Sequence, residues 1–109
     1  MKLAEKHCVA CAPGTNPLGA TEAASLLEEL PGWQTGPDGK AIQCLFNFEN
    51  YWAGIIFVNA VAWMAQAEHH HPDLELGYKK VTVRYSTHAA GGLTENDFIC
   101  AAKVSVLRG

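Results

Sequence analysis

Four of the five histidines in the chain lie close together, three of them adjacent at His69–His71 and the fourth at His88. The ordinary pKa of imidazole is near neutrality, so a histidine serves both as a metal ligand and as a general acid or base. Three explanations therefore compete for this cluster: a metal site, a proton-transfer site, or polar residues that only terminate a helix.

The spacing of the histidines argues against a metal site. Successive side chains project about 100° apart on a helix and to opposite faces on a strand, so three consecutive imidazoles cannot all bind one ion. The spacings HxH on a strand and HxxxH on a helix are absent, and one of the three together with His88 would still need a third ligand. No metal site is predicted.

The proton-transfer explanation depends on where a helix ends. A helix C-terminus stabilises an imidazolium by about 0.3–1 kcal/mol, and by up to ~2 kcal/mol when the group is partly buried. At about 1.36 kcal/mol per unit, this raises a histidine pKa of ~6.5 towards neutrality, where protons move readily in either direction. Helix termination alone accounts for His69 but not for His88, which lies a strand away. The spacing by itself leaves both explanations open.

Two predicted elements would position the histidines. Residues 50–69 are typical of a long helix that is apolar around most of its circumference, and Pro72 disfavours the helical conformation for the residue before it, so the helix should end at the histidines. Strands are predicted at residues 74–78 and 81–85, and His88 shares the polar parity of the second strand. A domain this small cannot easily bury a helix that is apolar on most sides, so a second subunit is expected to cover part of it.

A first helix and a hairpin are predicted before the long helix. Thr21 can cap the first helix, and Pro31-Gly32 stops it. Residues 36–39 (Gly-Pro-Asp-Gly) form a turn signal between two extended runs, and the apolar residues around Cys44 break strict alternation, which favours a bulge there.

The last helix is predicted to begin at Thr94 and to run to about Leu107, with Asp97 as the third helical residue of a capping box. The order helix, hairpin, helix, two strands, helix predicts an α+β fold: a single domain with a four-stranded antiparallel sheet and helices packed on one face. Residues 21–109 are assigned to this domain.

Residues 1–20 are expected to form a loosely ordered N-terminal arm. The arm holds Cys8 and Cys11 at CxxC spacing beside His7, a pattern that suits zinc or redox chemistry. A zinc site needs about four ligands, and no second CxxC or matching histidine pair follows. The residues after Cys11 are typical of a loop, whereas a redox motif of this kind opens a helix.

Composition and charge exclude several classes of protein. An apolar fraction of 49% and a charged fraction of 17% are ordinary for a globular protein, and the formal charge of −3 gives no reason to expect nucleic acid or a membrane surface as a partner. The most apolar stretch, residues 52–67, is too short and too interrupted to span a bilayer. Because the N-terminus lacks the apolar core of a secretory signal, a cytoplasmic location with reduced cysteines is expected.

The histidines also belong to a longer pattern. It resembles the signature of the pterin-4a-carbinolamine dehydratase family, and the resemblance covers about residues 21–107. The arm sequence HCVAC also resembles the start of many bacterial members. The matching positions are His70-His71-Pro72, Tyr78, Ser86-Thr87-His88, Gly92-Leu93 and Asp97.

The resemblance implies a hydro-lyase that removes water from 4a-hydroxytetrahydrobiopterin and releases quinonoid dihydropterin. The elimination expels the 4a-hydroxyl group and takes a proton from N5, so it implies general acid–base help and no cofactor. By position, His70 and His88 would protonate the departing hydroxyl, and His71 would orient the pterin and share in proton transfer. The substrate-binding residues implied by the same match are His71, Ser86, Thr87, Asp97 and Tyr78.

The resemblance also implies partners and alternatives. Family members form homodimers and homotetramers and can accompany an aromatic amino acid hydroxylase, whose product they use. The alternatives are a non-catalytic pterin-binding or protein-binding module, like animal members that stabilise a transcription factor dimer, or a role in molybdopterin metabolism. One departure from the pattern is Gln66, where the family usually has an acidic residue; Glu68 is the nearby residue that could compensate.

Overall fold

The computed structural model describes residues 1–109 and contains one four-stranded antiparallel sheet in the order β1-β2-β4-β3. This architecture confirms the predicted α+β fold and its order of elements. The strands are β1 (Gln34–Thr35), β2 (Ile42–Asn47), β3 (Asp73–Leu76) and β4 (Lys80–Tyr85). The helices are α1 (Ala20–Leu27), α2 (Tyr51–Glu68) and α3 (Glu95–Arg108), with short 3-10 turns at Leu3–Glu5 and His88–Ala90.

Strand alternation separates the two faces of the sheet. In β4, Val81, Val83 and Tyr85 are fully buried, while the residues between them are half-buried on the other face. The predicted bulge near Cys44 is wrong, because β2 pairs with β4 residue by residue along its whole length. Leu45 misled the prediction: it is an exposed apolar residue on the outer face, so the alternation of inward residues is in fact unbroken.

The long helix α2 begins and ends as its sequence predicts. The Asn50 side chain accepts a hydrogen bond from the Ala53 N–H at 2.8 Å and so caps the first turn. At the other end His69 adopts the left-handed conformation with φ 54°, and the His70 N–H donates to the Ala65 carbonyl at 3.1 Å. This closure is a Schellman motif, which turns the chain sharply away from the helix axis.

The predicted start of α1 is wrong. Thr21 lies exposed inside the first turn, and the N-cap residue is Gly19, whose N–H donates to the Glu22 carboxylate at 3.4 Å. The helix also ends earlier than Pro31-Gly32, because a series of turns follows Leu27. A carboxylate that reaches back to the backbone at the helix start replaces the hydroxyl cap that the sequence suggested.

The last helix begins at the predicted N-cap residue. Asp97 accepts a hydrogen bond from the Thr94 N–H at 2.9 Å, so the shorter aspartate does reach the cap. The Thr94 hydroxyl is directed elsewhere and lies 2.9 Å from the Thr87 hydroxyl. Most of α3 is buried, which makes this helix the centre of the hydrophobic core.

The N-terminal arm lies along α3, which differs from the loose arm expected from the sequence. Leu3 is buried in the main core, Lys103 donates to the Ala4 carbonyl at 2.9 Å, and Lys6 lies 3.3 Å from the Glu95 carboxylate. The boundary between an arm of residues 1–20 and a domain of residues 21–109 stays a prediction.

None of the helices combines the length and the hydropathy that a membrane crossing requires. The longest, α2, instead exposes part of its apolar surface, with Trp52 at 68%, Ile56 at 56% and Trp63 at 77% exposure. These positions lie within about 40° of one another around the helix axis, so they form one stripe.

Candidate active site

A cavity of about 300 Å³ lies where the end of α2, the end of β4 and the N-terminal arm meet. The structure brings His70, His71 and His88 together on this cavity, with Ser86 and Thr87 between them. The sharp turn at His69 and the strand parity of β4 achieve this convergence, because they aim two segments distant in sequence at the same space.

His70 is held from behind by a buried carboxylate. Its Nε2 lies 2.6 Å from Asp97 Oδ1, and Asp97 is fully buried. The other carboxylate oxygen accepts the Thr87 hydroxyl at 2.8 Å and the Thr94 N–H at 2.9 Å. Because an ionised carboxylate only accepts hydrogen bonds, His70 donates its Nε2–H, which leaves Nδ1 as the ring nitrogen free to exchange a proton.

The same pair sets the protonation of His70. Burial lowers the pKa of His70, but the hydrogen bond to Asp97 and its negative charge outweigh burial and raise the pKa above its ordinary value. The His70 ring also stacks on Tyr85, with 5.3 Å between ring centroids and 14° between planes. A larger fraction of His70 is therefore protonated near neutral pH, in a fixed orientation suited to a general acid.

His71 and His88 are both exposed, in contrast to His70. His71 donates its Nε2–H to Gln66 Oε1 at 3.0 Å, so a neutral amide orients the ring without adding a charge. Glu68, the nearby acidic residue, faces the arm, where it accepts the Cys8 N–H at 2.7 Å. His88 stands at the start of the 3-10 turn that follows β4.

Two of the predicted substrate-binding residues lie outside the cavity lining. Asp97 is behind His70 and contacts the cavity lining through hydrogen bonds with His70 and Thr87. Tyr78 is 72% exposed in the turn between β3 and β4, with the Lys79 ammonium 5.4 Å from its ring centroid. Tyr78 precedes β4 and His88 follows it, so the length of the strand, roughly 20 Å, separates them.

Comparison with known proteins decides the family. The model of the family described as pterin 4 alpha carbinolamine dehydratase matches residues 16–107. The chain belongs to this family. A Stenotrophomonas maltophilia protein (strain R551-3) is 50% identical over 105 residues, covering 96% of this chain and 90% of that protein. A Dechloromonas aromatica protein is also 50% identical over 105 residues, with 96% and 92% covered. The names of both assign them to the same dehydratase family.

Solved structures agree with this assignment. A crystal structure from Brucella melitensis, described as a transcriptional coactivator/pterin dehydratase, has a TM-score of 0.82 and 32% identity, covering 86% of this chain and 100% of that one. A second structure, described as a pterin dehydratase-like RuBisCO assembly factor of the alpha-carboxysome, has a TM-score of 0.63 and 22% identity, covering 72% and 90%. The second likeness shows the shared fold alone.

Several residues near the candidate site escaped the sequence prediction. Asn96 and residues 9–11 line the cavity, and Tyr85 supports the His70 ring. Asn96 is next to Asp97 at the start of a helix, and this position is the only feature of the sequence that could have indicated a role at the cavity. Nothing in the spacing of the arm placed residues 9–11 at the cavity, because that placement depends on contacts with distant helices.

Cys8 contacts a cysteine outside the CxxC motif of the arm. Cys8 Sγ lies 3.4 Å from Cys100 Sγ of α3, and all four cysteines are free thiols. The hydrogen bond between the two thiols, with burial, raises the pKa of Cys8, and the same bond lowers the pKa of Cys100. No group of three or more histidine, cysteine, aspartate or glutamate side chains is arranged to hold one metal ion.

The Asp97→Asn variant should lower the pKa of His70, because the amide removes the charge that raises it. A raised folded-state pKa gives stability that is fully present below the unfolded value of ~6.5 and is lost as pH rises through the folded value. The parent's free energy of unfolding should therefore fall with rising pH in this window, and the variant's should fall less. NMR titration of His70 and denaturant unfolding between pH 5 and about 9 measure both effects.

The matched control is Asp38→Asn, which changes an exposed turn aspartate outside the cavity lining. It should leave the titration of His70 and the pH dependence of stability as they are in the parent. A parent-like His70 pKa in Asp97→Asn would contradict the role assigned to the buried carboxylate.

Proposed function

We propose that this chain dehydrates a 4a-hydroxytetrahydropterin to the quinonoid dihydropterin by histidine general acid–base catalysis, in the recycling of tetrahydrobiopterin. The observation that carries the proposal is the convergence of His70, His71 and His88 on one cavity, in a chain of the dehydratase family. The cavity volume of about 300 Å³ falls within the range of small-molecule sites, whose lower bound is about 300 Å³.

In this proposal each imidazole has its own role in proton transfer. Protonated His70, assisted by His88, gives a proton to the 4a-hydroxyl group as the C4a–O bond breaks, and the group leaves as water. The electron pair on N5 forms the C4a=N5 double bond, and His71 orients the ring and accepts the N5 proton. Half-buried His70, whose pKa is raised by Asp97, suits the acid role, and exposed His71 suits exchange with solvent.

The demand on the enzyme is modest. Carbinolamines already lose water spontaneously, and one positioned acid or base typically adds ~10²–10⁴-fold. No redox step is involved, because the elimination leaves the oxidation level of the pterin plus water unchanged. The expected source of substrate is an aromatic amino acid hydroxylase, and the expected compartment is the cytoplasm.

His70→Ala and His88→Ala should each lower kcat at least ~10-fold, because each removes a proton donor from the cavity. Stopped-flow dehydration of freshly generated carbinolamine measures the rate, and circular dichroism checks the fold. Lys40→Ala is the control: it removes an exposed cationic side chain outside the cavity and should leave kcat within about 2-fold, as surface substitutions usually do.

Equal kcat values in all four proteins would instead support a second candidate function, a non-catalytic pterin-binding or protein-binding module. That candidate has one observation in its favour, the description of the Brucella melitensis structure as a transcriptional coactivator as well as a pterin dehydratase.

The neutral residue beside His71 gives a second test. Gln66→Glu should stabilise the imidazolium that forms when His71 takes the N5 proton, by ~0.2–1 kcal/mol for an exposed pair, and so raise kcat roughly 1.4- to 5-fold. Gln34→Glu adds the same charge to β1, outside the cavity, and should leave kcat unchanged. A lower kcat in Gln66→Glu would mean that His71 does not act as the base.

We also propose that the protein works as a homodimer or homotetramer built on α2. The stripe of Trp52, Ile56 and Trp63 exposes three large apolar side chains on one helix face, and such contiguous patches mark association sites. Burying a tryptophan of this kind at an interface contributes on the order of 2–3 kcal/mol. The stripe lies on the same helix whose end carries the histidines, so association would stiffen the cavity.

Trp63→Glu should shift the assembly towards monomers, because it places a charge within the stripe. Size-exclusion chromatography with light scattering measures the mass of the parent and the variant across a dilution series. Ala24→Glu, which adds the same charge to the exposed face of α1, is the control and should keep the parent's mass. A monomeric parent at all concentrations would refute the oligomer.

A further inference from the structure

The N-terminal arm supplies one wall of the cavity that holds the histidines. Val9, Ala10 and Cys11 all line it, although they precede residues 16–107, the segment that the family model matches. The wall therefore lies outside the segment matched by the family model, although the relatives match over 105 residues and so cover most of the arm. Its presence beside the imidazoles needs a physical explanation.

One fastening of the wall is the side chain of Asn96. This buried residue accepts the Val9 N–H at 3.1 Å and donates to the Val9 carbonyl at 2.7 Å, so its amide pairs with both polar groups of one residue of the arm. Its Nδ2 also lies 3.5 Å from Cys11 Sγ. A buried amide whose donors and acceptor are all used in this way fixes the position of the backbone it holds.

A second fastening comes from the end of α2. Glu68 accepts the Cys8 N–H at 2.7 Å and lies 2.8 Å from His7 Nδ1, with the Lys103 ammonium 3.9 Å away. Burial alone would raise the pKa of Glu68, but these donors and charges together lower it, so the carboxylate stays ionised and keeps its hold on the arm.

Both fastenings are adjacent to the candidate catalytic pair. Asn96 immediately precedes Asp97, and Glu68 lies two residues before His70. The same two helix ends therefore position the His70–Asp97 pair and the arm, which fixes the distance between the wall and the imidazoles. In contrast to Val9, the N–H and C=O groups of Ala10 and Cys11 have no hydrogen-bond partner in the chain.

We propose that residues 9–11 form part of the substrate site and that Asn96 is the positioning residue that holds them there. The inference rests on the proposed function and names a wall of that same site. The free peptide groups of Ala10 and Cys11 suit the pyrimidine edge of a pterin, along which hydrogen-bond donors and acceptors alternate. The wall contributes affinity, and the imidazoles contribute the proton transfers.

The direct test places a large side chain on the wall, where it should occupy part of the cavity. Ala10→Trp should raise KM for the carbinolamine, and Kd for 7,8-dihydrobiopterin measured by calorimetry, at least ~10-fold, while kcat stays within about 3-fold. The matched control is Ala12→Trp, which places the same side chain on an exposed arm residue outside the cavity lining and should leave all three constants unchanged. Both sites are exposed, so neither change should unfold the domain.

The second test removes hydrogen bonds that hold residues 9–11 in place. Asn96→Leu keeps the size of the side chain but removes both hydrogen bonds to Val9, and it should raise KM and Kd with a similar kcat. Glu95→Gln, which weakens the Lys6 contact at 3.3 Å outside the cavity, is the control and should behave as the parent. If Asn96→Leu does not fold, Ala10→Trp alone decides.

The outcomes separate this inference from the proposed function. If the parent is active and Ala10→Trp has the parent's KM and Kd, residues 9–11 are not part of the substrate site, even if Asn96→Leu binds more weakly. The proposed function would still stand. A fall in kcat at constant KM would also overturn the inference about residues 9–11, because the arm would then act through the imidazoles. A parent that neither dehydrates carbinolamine nor binds 7,8-dihydrobiopterin would refute both.

Discussion

Asp97 is fully buried, and its two carboxylate oxygens accept hydrogen bonds from three segments that are distant in the chain or separated by a turn. The three donors are Thr94 at the start of α3, Thr87 just after β4, and His70 just after α2. An unpaired charge in this position would cost several kcal/mol, so the three donors must be in place for the core to close. Packing of the domain and construction of the cavity are therefore coupled.

This coupling explains why one histidine differs from the others. His70 is half-buried, stacked on Tyr85 and bonded to Asp97, so its orientation and its raised pKa are consequences of folding. His71 and His88 are exposed on the same cavity and can exchange protons with water. A rigid donor beside more accessible groups is an arrangement suited to an elimination that moves one proton out and another in.

Much of the fold could be predicted because its signals are local. The N-cap at Thr94, the stop at Pro72 and the alternation of β4 depend on neighbours within a few residues, and the structure confirms them. The errors at Thr21 and Cys44 have a shared cause, since in both places a side chain had two plausible partners or faces. At the start of α1 the local contact between Gly19 and Glu22, three residues apart, provides the cap, and in β2 the pairing with β4 leaves Leu45 on the outer face.

The sequence by itself determined the elements, the family resemblance and the two segments that carry the imidazoles, because residue type and spacing act over short range. Only the tertiary structure decided that Tyr78 lies apart from the cavity, that Asp97 stands behind His70, and that the arm completes a wall. These placements depend on hydrogen bonds between residues far apart in the chain, such as Asn96 to Val9, and no local pattern encodes which distant partner a buried polar group will meet.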